Sequence, residues 1–340
     1  MNAFGENFRI SIFGESHNHC VGVTIDGCIA GVPLVIADFA DDLNRRKPNK
    51  LGTTNRTEDD LPQILSGVFN DKTTGSPITI IFNNNNVNSD VYSPQNRRPS
   101  HCDFVANHKF NGFNDYRGAG MFSGRMTVGI VAAGVVAKKI IPQISICATV
   151  VAVGGIKNNS TNNDLSNEIL DLIENTCKQG DSLGGVIECT IKNVPIGLGE
   201  PFFNSLESML SHLIFSIPGI KGIEFGAGFN IANMKGSQAN DCYIDEEGTT
   251  KTNNSGGINA GISNGNDIVF KVAVRPTPSI KTEQETYNIH TKKVEKIKII
   301  GKHDTCFAVR MPVIIEAAAA IVLADAILTN NSGRAYELFN

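Results

Sequence analysis

Two stretches of this 340-residue chain have almost no polar face, and they limit the fold more than any other feature. VGIVAAGVVA begins at Val128, and the run stays apolar to Ile141 apart from Lys138 and Lys139 late in it. PVIIEAAAAIVLADAIL runs from Pro312 to Leu328 and is interrupted by Glu316 and Asp325. A helix that is hydrophobic all round must be buried all round. The Gly and Ala content of the first implies close packing against other elements, and Pro312 suits the first turn of the second. Both runs read as core helices that stop short of a membrane span.

Each apolar run is preceded by a charged segment. RRPSHCDFVANHKFNGFNDYRGAGMFSGRMT (97–127) holds Arg97, Arg98, Lys109, Arg117 and Arg125 with His101 and His108. GKHDTCFAVRMP (301–312) holds Lys302, His303, Asp304 and Arg310. Charge set beside a fully buried element is costly unless it meets a ligand or partners. Two such junctions point to one shared pocket that rings an anionic small molecule. The net charge of −4 implies no general affinity for nucleic acid or an anionic membrane, so the local clusters matter more than the total.

Between these landmarks the pattern alternates loosely. FRISIF (8–13) and VGVTIDGC (21–28) read as strands around the turn GESHNH, which exposes Glu15, Ser16, His17 and His19. VIADFADDLNRRK predicts a short amphipathic helix ending in Arg45 and Arg46. QILSGVF and SPITIIF are strand candidates, as are ISICATVVAV, GVIECTI, GIEFGAGF and DIVFKVAV. LSNEILDLIENTC and FNSLESMLSHLIFSI read as helices. The asparagine-rich tracts at 83–89 and 157–164 read as solvated loops. Without strict βαβ alternation or an evident linker, the expectation is one α+β domain over 1–340 with antiparallel sheets. The start lacks a signal-peptide pattern, and eight scattered cysteines suit reduced thiols in the cytoplasm.

Several groups carry candidate chemistry. His17, His19 and Cys20, or His101, Cys102 and His108, are metal-ligating types, but their spacing matches no common zinc pattern. The glycine-rich stretch 256–265 lacks the lysine of a P-loop and does not open a helix as a dinucleotide fingerprint does. Its backbone could still approach a flat ring closely. Arg275, Thr277 and Ser279 on a Pro-x-Pro turn make a workable phosphate clamp, or else a capped strand end.

Taken together, FGESH, LNRRKP with TNRTEDD, RRPSHCDF, DYRGAGMFSGRMT, NNSGGINAGISNG, VRPTPSI and GKHDTC resemble the chorismate synthase family, in the family's order. The resemblance implies a β-α-β sandwich with central apolar helices between two antiparallel sheets, and a homotetramer. It implies elimination of phosphate from 5-enolpyruvylshikimate 3-phosphate, with reduced FMN (FMNH2) as cofactor and no metal. His17, His101 and Asp304 would be catalytic: proton donor to the phosphate, partner of flavin N1, and partner of N5 in removing the C6 hydrogen. Ser16, Arg46, Arg56, Arg98, Arg125, Lys302 and Arg310 would bind substrate. Ser123, Asn253, Gly256, Gly257, Ser263, Asn264, Arg275, Thr277 and Ser279 would hold FMN. With no added NAD(P)H domain in view, the flavin reductant is expected to be external. The chain differs from the family pattern at Asn18, Asn49, Lys50, Met121, Lys302 and Arg275. A histidine-cysteine metal hydrolase and an anion-binding paralogue without activity are the competing readings.

Overall fold

The computed structural model describes residues 2–48, 50–54, 58–87, 89, 97–160, 164–289, 291–299, 301 and 303–333, with side chains as far as 330. Arg56 and Lys302 therefore lie outside the described residues. The helices are α1 (Ala40–Arg46), α2 (Asp103–Lys109), α3 (Thr127–Ile140), α4 (Asn167–Gln179), α5 (Leu206–Ser216), α6 (Gly236–Ala239) and α7 (Pro312–Gly333). The two apolar runs are thus α3 and α7.

They form the middle of a layered α+β sandwich. One antiparallel sheet orders its strands Ala3–Phe4, Arg9–Gly14, Cys20–Asp26, Ile78–Asn83 and Gln63–Ile64. The other orders Ile220–Phe225, Ile268–Val274, Gly185–Lys192, Ser145–Val153 and Ile156–Lys157. Helix α3 packs on the first sheet, α7 packs on the second, and the two helices pack on each other. Strand Ile78–Asn83 alternates inward Ile78, Ile80 and Phe82 with half-covered neighbours, the period-two signature of a sheet with one face on a core.

Close approach of the central helices depends on residue size. A Cβ placed on Gly134 would lie 2.4 Å from Ala317 Cβ and 2.6 Å from its Cα, so only hydrogen fits there. By length and composition Pro312–Asn330 could cross a bilayer, beyond what the sequence reading allowed, but most of it is enclosed by protein. Its two acids are matched by partners. Glu316 receives Arg45 Nη1 and Nη2, each at 2.7 Å, and the Ala148 N–H at 3.0 Å. Asp325 accepts the backbone N–H groups of Glu6, Asn7 and Phe8, which ties the first strands to the end of α7.

Some local expectations change. QILSGVF is not one strand: Gln63–Ile64 joins the sheet, while Val68–Phe69 turns back on Lys72–Thr73. The polar hairpin Gln284–Asn288 with Lys293–Ile297 escapes a hydrophobic-pattern reading because both of its faces are largely polar or exposed. GIEFGAGF stops being strand at Phe225, where Gly226 takes a positive φ of 54°.

Candidate active site

Both charged junctions open onto one cavity of about 380 Å³. Its wall includes Ser123, Gly124 and Arg125 from the entry to α3, and His303, Asp304, Phe307 and Arg310 from the entry to α7. Arg46 at the end of α1, Arg98 and His101 before α2, and the turn Arg275–Ser279 complete it. Among the described residues lining it are five arginines and three carboxylates, Glu58, Asp60 and Asp304. Arg98 is paired from behind the wall by Asp103, through Nε and Nη2 at 2.8 Å each. The cavity keeps an excess of positive charge after that pair is counted.

The deepest cations are ordered by few groups. Arg46, Arg125 and Arg310 are each 9 % exposed or less. Asp60 lies between Arg46 and Arg125 and gives one oxygen to each. Burial opposes ionisation of Asp60, but the two guanidiniums outweigh it and hold its carboxyl below the usual range. Burial, with Arg310 and Arg125 nearby, brings Arg46 down to about 10 despite Asp60. Arg310 donates from Nε to the Arg46 carbonyl at 3.0 Å and lies 3.4 Å from Asp304. The other Asp304 oxygen accepts the Thr54 N–H at 2.6 Å.

The histidines differ in their surroundings. His101 Nδ1 lies 2.7 Å from Asp103 Oδ1. His17 is buried, with Nδ1 3.1 Å from Ser89 Oγ, and it sits behind the turn Arg117–Phe122. Ser16 anchors that turn by donating from Oγ to the Gly118 carbonyl at 2.9 Å. Gly118, which lines the cavity, is pressed against His17: a Cβ there would stand 2.4 Å from His17 Nε2. Ser16 and His17 therefore reach the cavity wall through a glycine. His303 is pushed down to about 4 by burial, then by Arg98, His101 and Lys281.

Ten expected residues meet in this cavity: Arg46, Arg98, His101, Ser123, Arg125, Arg275, Thr277, Ser279, Asp304 and Arg310. Five expected at the cofactor do not line it within this chain. Asn253 bonds the Asp267 carbonyl and the Gly257 N–H, each at 2.8 Å. Ser263 is buried between the Pro195 carbonyl and the Leu198 N–H. Asn264 Oδ1 accepts the Asn266 N–H at 3.0 Å. A Cβ on Gly256 would meet Gly226 N, and one on Gly257 would meet the Asp267 oxygen, both at 2.5 Å. Within this chain, both glycines let neighbouring backbone approach closely.

Asn84 departs from the solvated-loop reading of its tract. Its side chain bonds the Glu15 and Asn18 carbonyls and accepts Arg125 Nε at 2.9 Å. Asp60 and Asn84 are the neighbours of the buried arginines that hydrophobic pattern does not reveal. The usable signal was charge demand, since a cluster of buried arginines requires acceptors nearby. Of the metal-type groups, His101, Cys102 and Asp103 come within 4.8 Å of one another, but Asp103 is already shared by Arg98 and His101. His108 turns away and stacks on Phe104.

A family model described as chorismate synthase matches residues 8–328. The chain belongs to the chorismate synthase family. It is 52% identical over 341 residues to the chorismate synthase of Chitinophaga pinensis, covering 99% of this chain and 100% of that one. It is 43% identical over 348 residues to that of Dehalococcoides mccartyi, covering 95% and 96%. A crystal structure of chorismate synthase superposes with a TM-score of 0.73 at 27% identity, over 96% of this chain and 93% of the other. The family's β-α-β layering is the one described above.

Proposed function

We propose that this protein converts 5-enolpyruvylshikimate 3-phosphate to chorismate by eliminating phosphate, with reduced FMN bound beside the substrate. The observation that carries the reading is the charge of the cavity, where five guanidiniums face three carboxylates. A substrate with two carboxylates and a phosphate supplies the missing negative charge. Family membership supports the specific reaction over other uses of an anion pocket.

The residues divide the work by position. Arg46, Arg98, Arg125 and Arg310 bind and orient the anionic groups. His17, which stands behind Gly118 from the cavity, is the residue that the family resemblance assigns as proton donor to the leaving phosphate. Asp304 lies at the opposite junction and takes part in removing the ring hydrogen at C6. Loss of one proton and one phosphate leaves no net redox change. His101, steered by Asp103, would hold a proton toward the bound cofactor.

The cavity fits the cofactor in kind. Phe122, Phe307, Pro218 and Pro276 offer apolar faces, while Arg275, Thr277 and Ser279 form a basic hydroxylated turn suited to a phosphate. The turn is braced by Ser182, which donates to the Thr277 carbonyl at 2.7 Å. Reduced FMN would lend electron density to the ring during elimination and recover it afterward. An external reductant, a homotetramer and a cytoplasmic location belong to the same proposal.

The test is an anaerobic assay of the purified protein with chemically reduced FMN and 5-enolpyruvylshikimate 3-phosphate, following chorismate absorbance. Chorismate formation that disappears with oxidised FMN is the expected result. No product, or equal product without flavin, would overturn it.

A further inference from the structure

The arginine cluster is organised around a single carboxylate. The Asp60 side chain has no solvent exposure, and its two oxygens go to different guanidiniums, Arg46 at 2.5 Å and Arg125. Arg125 is also fixed from two other sides, by Asn84 Oδ1 at 2.9 Å and the Asn83 carbonyl at 3.1 Å. Arg46 lacks such bracing. Its buried Nε has no hydrogen-bond partner among the described residues, where Asp60 is its ion-pair partner. Asp60 also sits at φ 49°, a left-handed conformation that the local chain does not favour and that surrounding contacts must maintain.

Two buried guanidiniums side by side repel unless an anion lies between them. Were Asp60 absent, any small anion from solution could take that place. We propose that Asp60 is a positioning residue that sets the spacing of Arg46 and Arg125 and offsets part of their charge. By doing so it keeps a small free anion, such as inorganic phosphate, from filling the cavity in place of a larger, correctly shaped polyanion. This role rests on the anion-binding reading of the cavity given above.

The experiment compares the full chain with Asp60→Asn and Asp60→Glu. Inorganic phosphate is titrated calorimetrically without substrate or flavin, and kcat and KM are measured separately. Asp60→Asn removes one buried negative charge with little change in shape, and it is expected to bind phosphate about 10-fold more tightly. Its kcat should fall by roughly 10²-fold with KM not raised, because the freed arginines still bind the substrate but no longer orient it. Asp60→Glu keeps the charge but lengthens the reach. It should bind phosphate within about threefold of the parent while losing about 10-fold or more in kcat.

A purely structural role predicts the opposite for phosphate. Asp60→Asn binding that is unchanged or weaker, or Asp60→Glu with parental kcat, would overturn the proposal. If Asp60→Asn does not fold, the two Asp60→Glu measurements decide alone. The phosphate titration uses no substrate, so it still judges Asp60 if the parent forms no chorismate, and the functional reading alone would then fail.

Discussion

His101 and Asp103 are hydrogen-bonded Nδ1 to Oδ1 at 2.7 Å, with the carboxylate also forked onto Arg98. An acceptor at Nδ1 places the proton of a neutral imidazole there and leaves Nε2 to act on a ligand. Asp103→Asn keeps the shape but loses the charge and one of the two acceptor oxygens, so the fork onto Arg98 and the charge beside His101 are both removed. The expected cost is roughly 10²-fold in turnover, with His101→Ala at least as damaging. Steady-state rates beside circular dichroism spectra check it, and parental turnover in either variant would remove the assigned role.

Asp103 also shapes acid stability. Burial opposes its ionisation, but the hydrogen bonds from Arg98 and His101 prevail and hold its carboxyl well below the ordinary range. A depressed folded value means its stabilisation is complete above the unfolded value of about 4. That stabilisation is lost as pH falls below about 4, and Asp103→Asn should flatten this part of a stability-versus-pH curve.

Gly118 separates His17 from the cavity by the thickness of a backbone. Its φ of 55° leaves no easy place for alanine, and a Cβ added there would come within 2.3 Å of His17 Cδ2. Gly118→Ala should lower turnover by about 10²-fold while the affinity for inorganic phosphate stays at the parental level. Loss of phosphate binding in parallel would show that the substitution disturbs the whole site rather than His17.

Gly134→Ala pits two effects against each other. Helix propensity alone favours alanine by about 1 kcal/mol. The contact with Ala317 opposes it, since backbone and not a flexible side chain lies 2.6 Å away. Overpacking of this kind costs about 1–3 kcal/mol or more, so net destabilisation is expected in urea denaturation. A stabilised variant would mean that α3 and α7 can separate without penalty.

His303 supplies a second pH dependence. Burial first, then Arg98, His101 and Lys281, bring it down to about 4. Between about 6.5 and that value the unfolded chain binds the proton and the folded chain does not. Stability present above about pH 6.5 is therefore lost as pH falls toward 4. Thermal melts of His303→Gln should show a shallower decline over that interval, and an identical slope would contradict the assigned burial.

Much of the layering was legible because it follows from local pattern. α3 and α7 have no face that water could tolerate, and strand Ile78–Asn83 alternates in the period that a sheet demands. The short Val68–Phe69 hairpin and the polar pair Gln284–Asn288 and Lys293–Ile297 were harder to read, because pairing rather than hydrophobic spacing defines them. Arg45 and Arg46 show the same limit at single-residue scale. Both read as ordinary basic residues closing a helix, yet one forks onto Glu316 and the other turns into the cavity.

Local pattern is enough to enclose two apolar helices, to gather charge where each begins, and to spell the motifs of one family. Those properties depend on composition and spacing within short windows. Contacts made in the folded chain set how Asp60 and Asn84 order the arginines, place Gly118 between His17 and the cavity, and pack the glycine-rich loop on neighbouring backbone. These depend on distances between segments far apart in the chain. A buried cation takes whichever acceptor the fold brings to it, and that choice is made in space, not along the sequence.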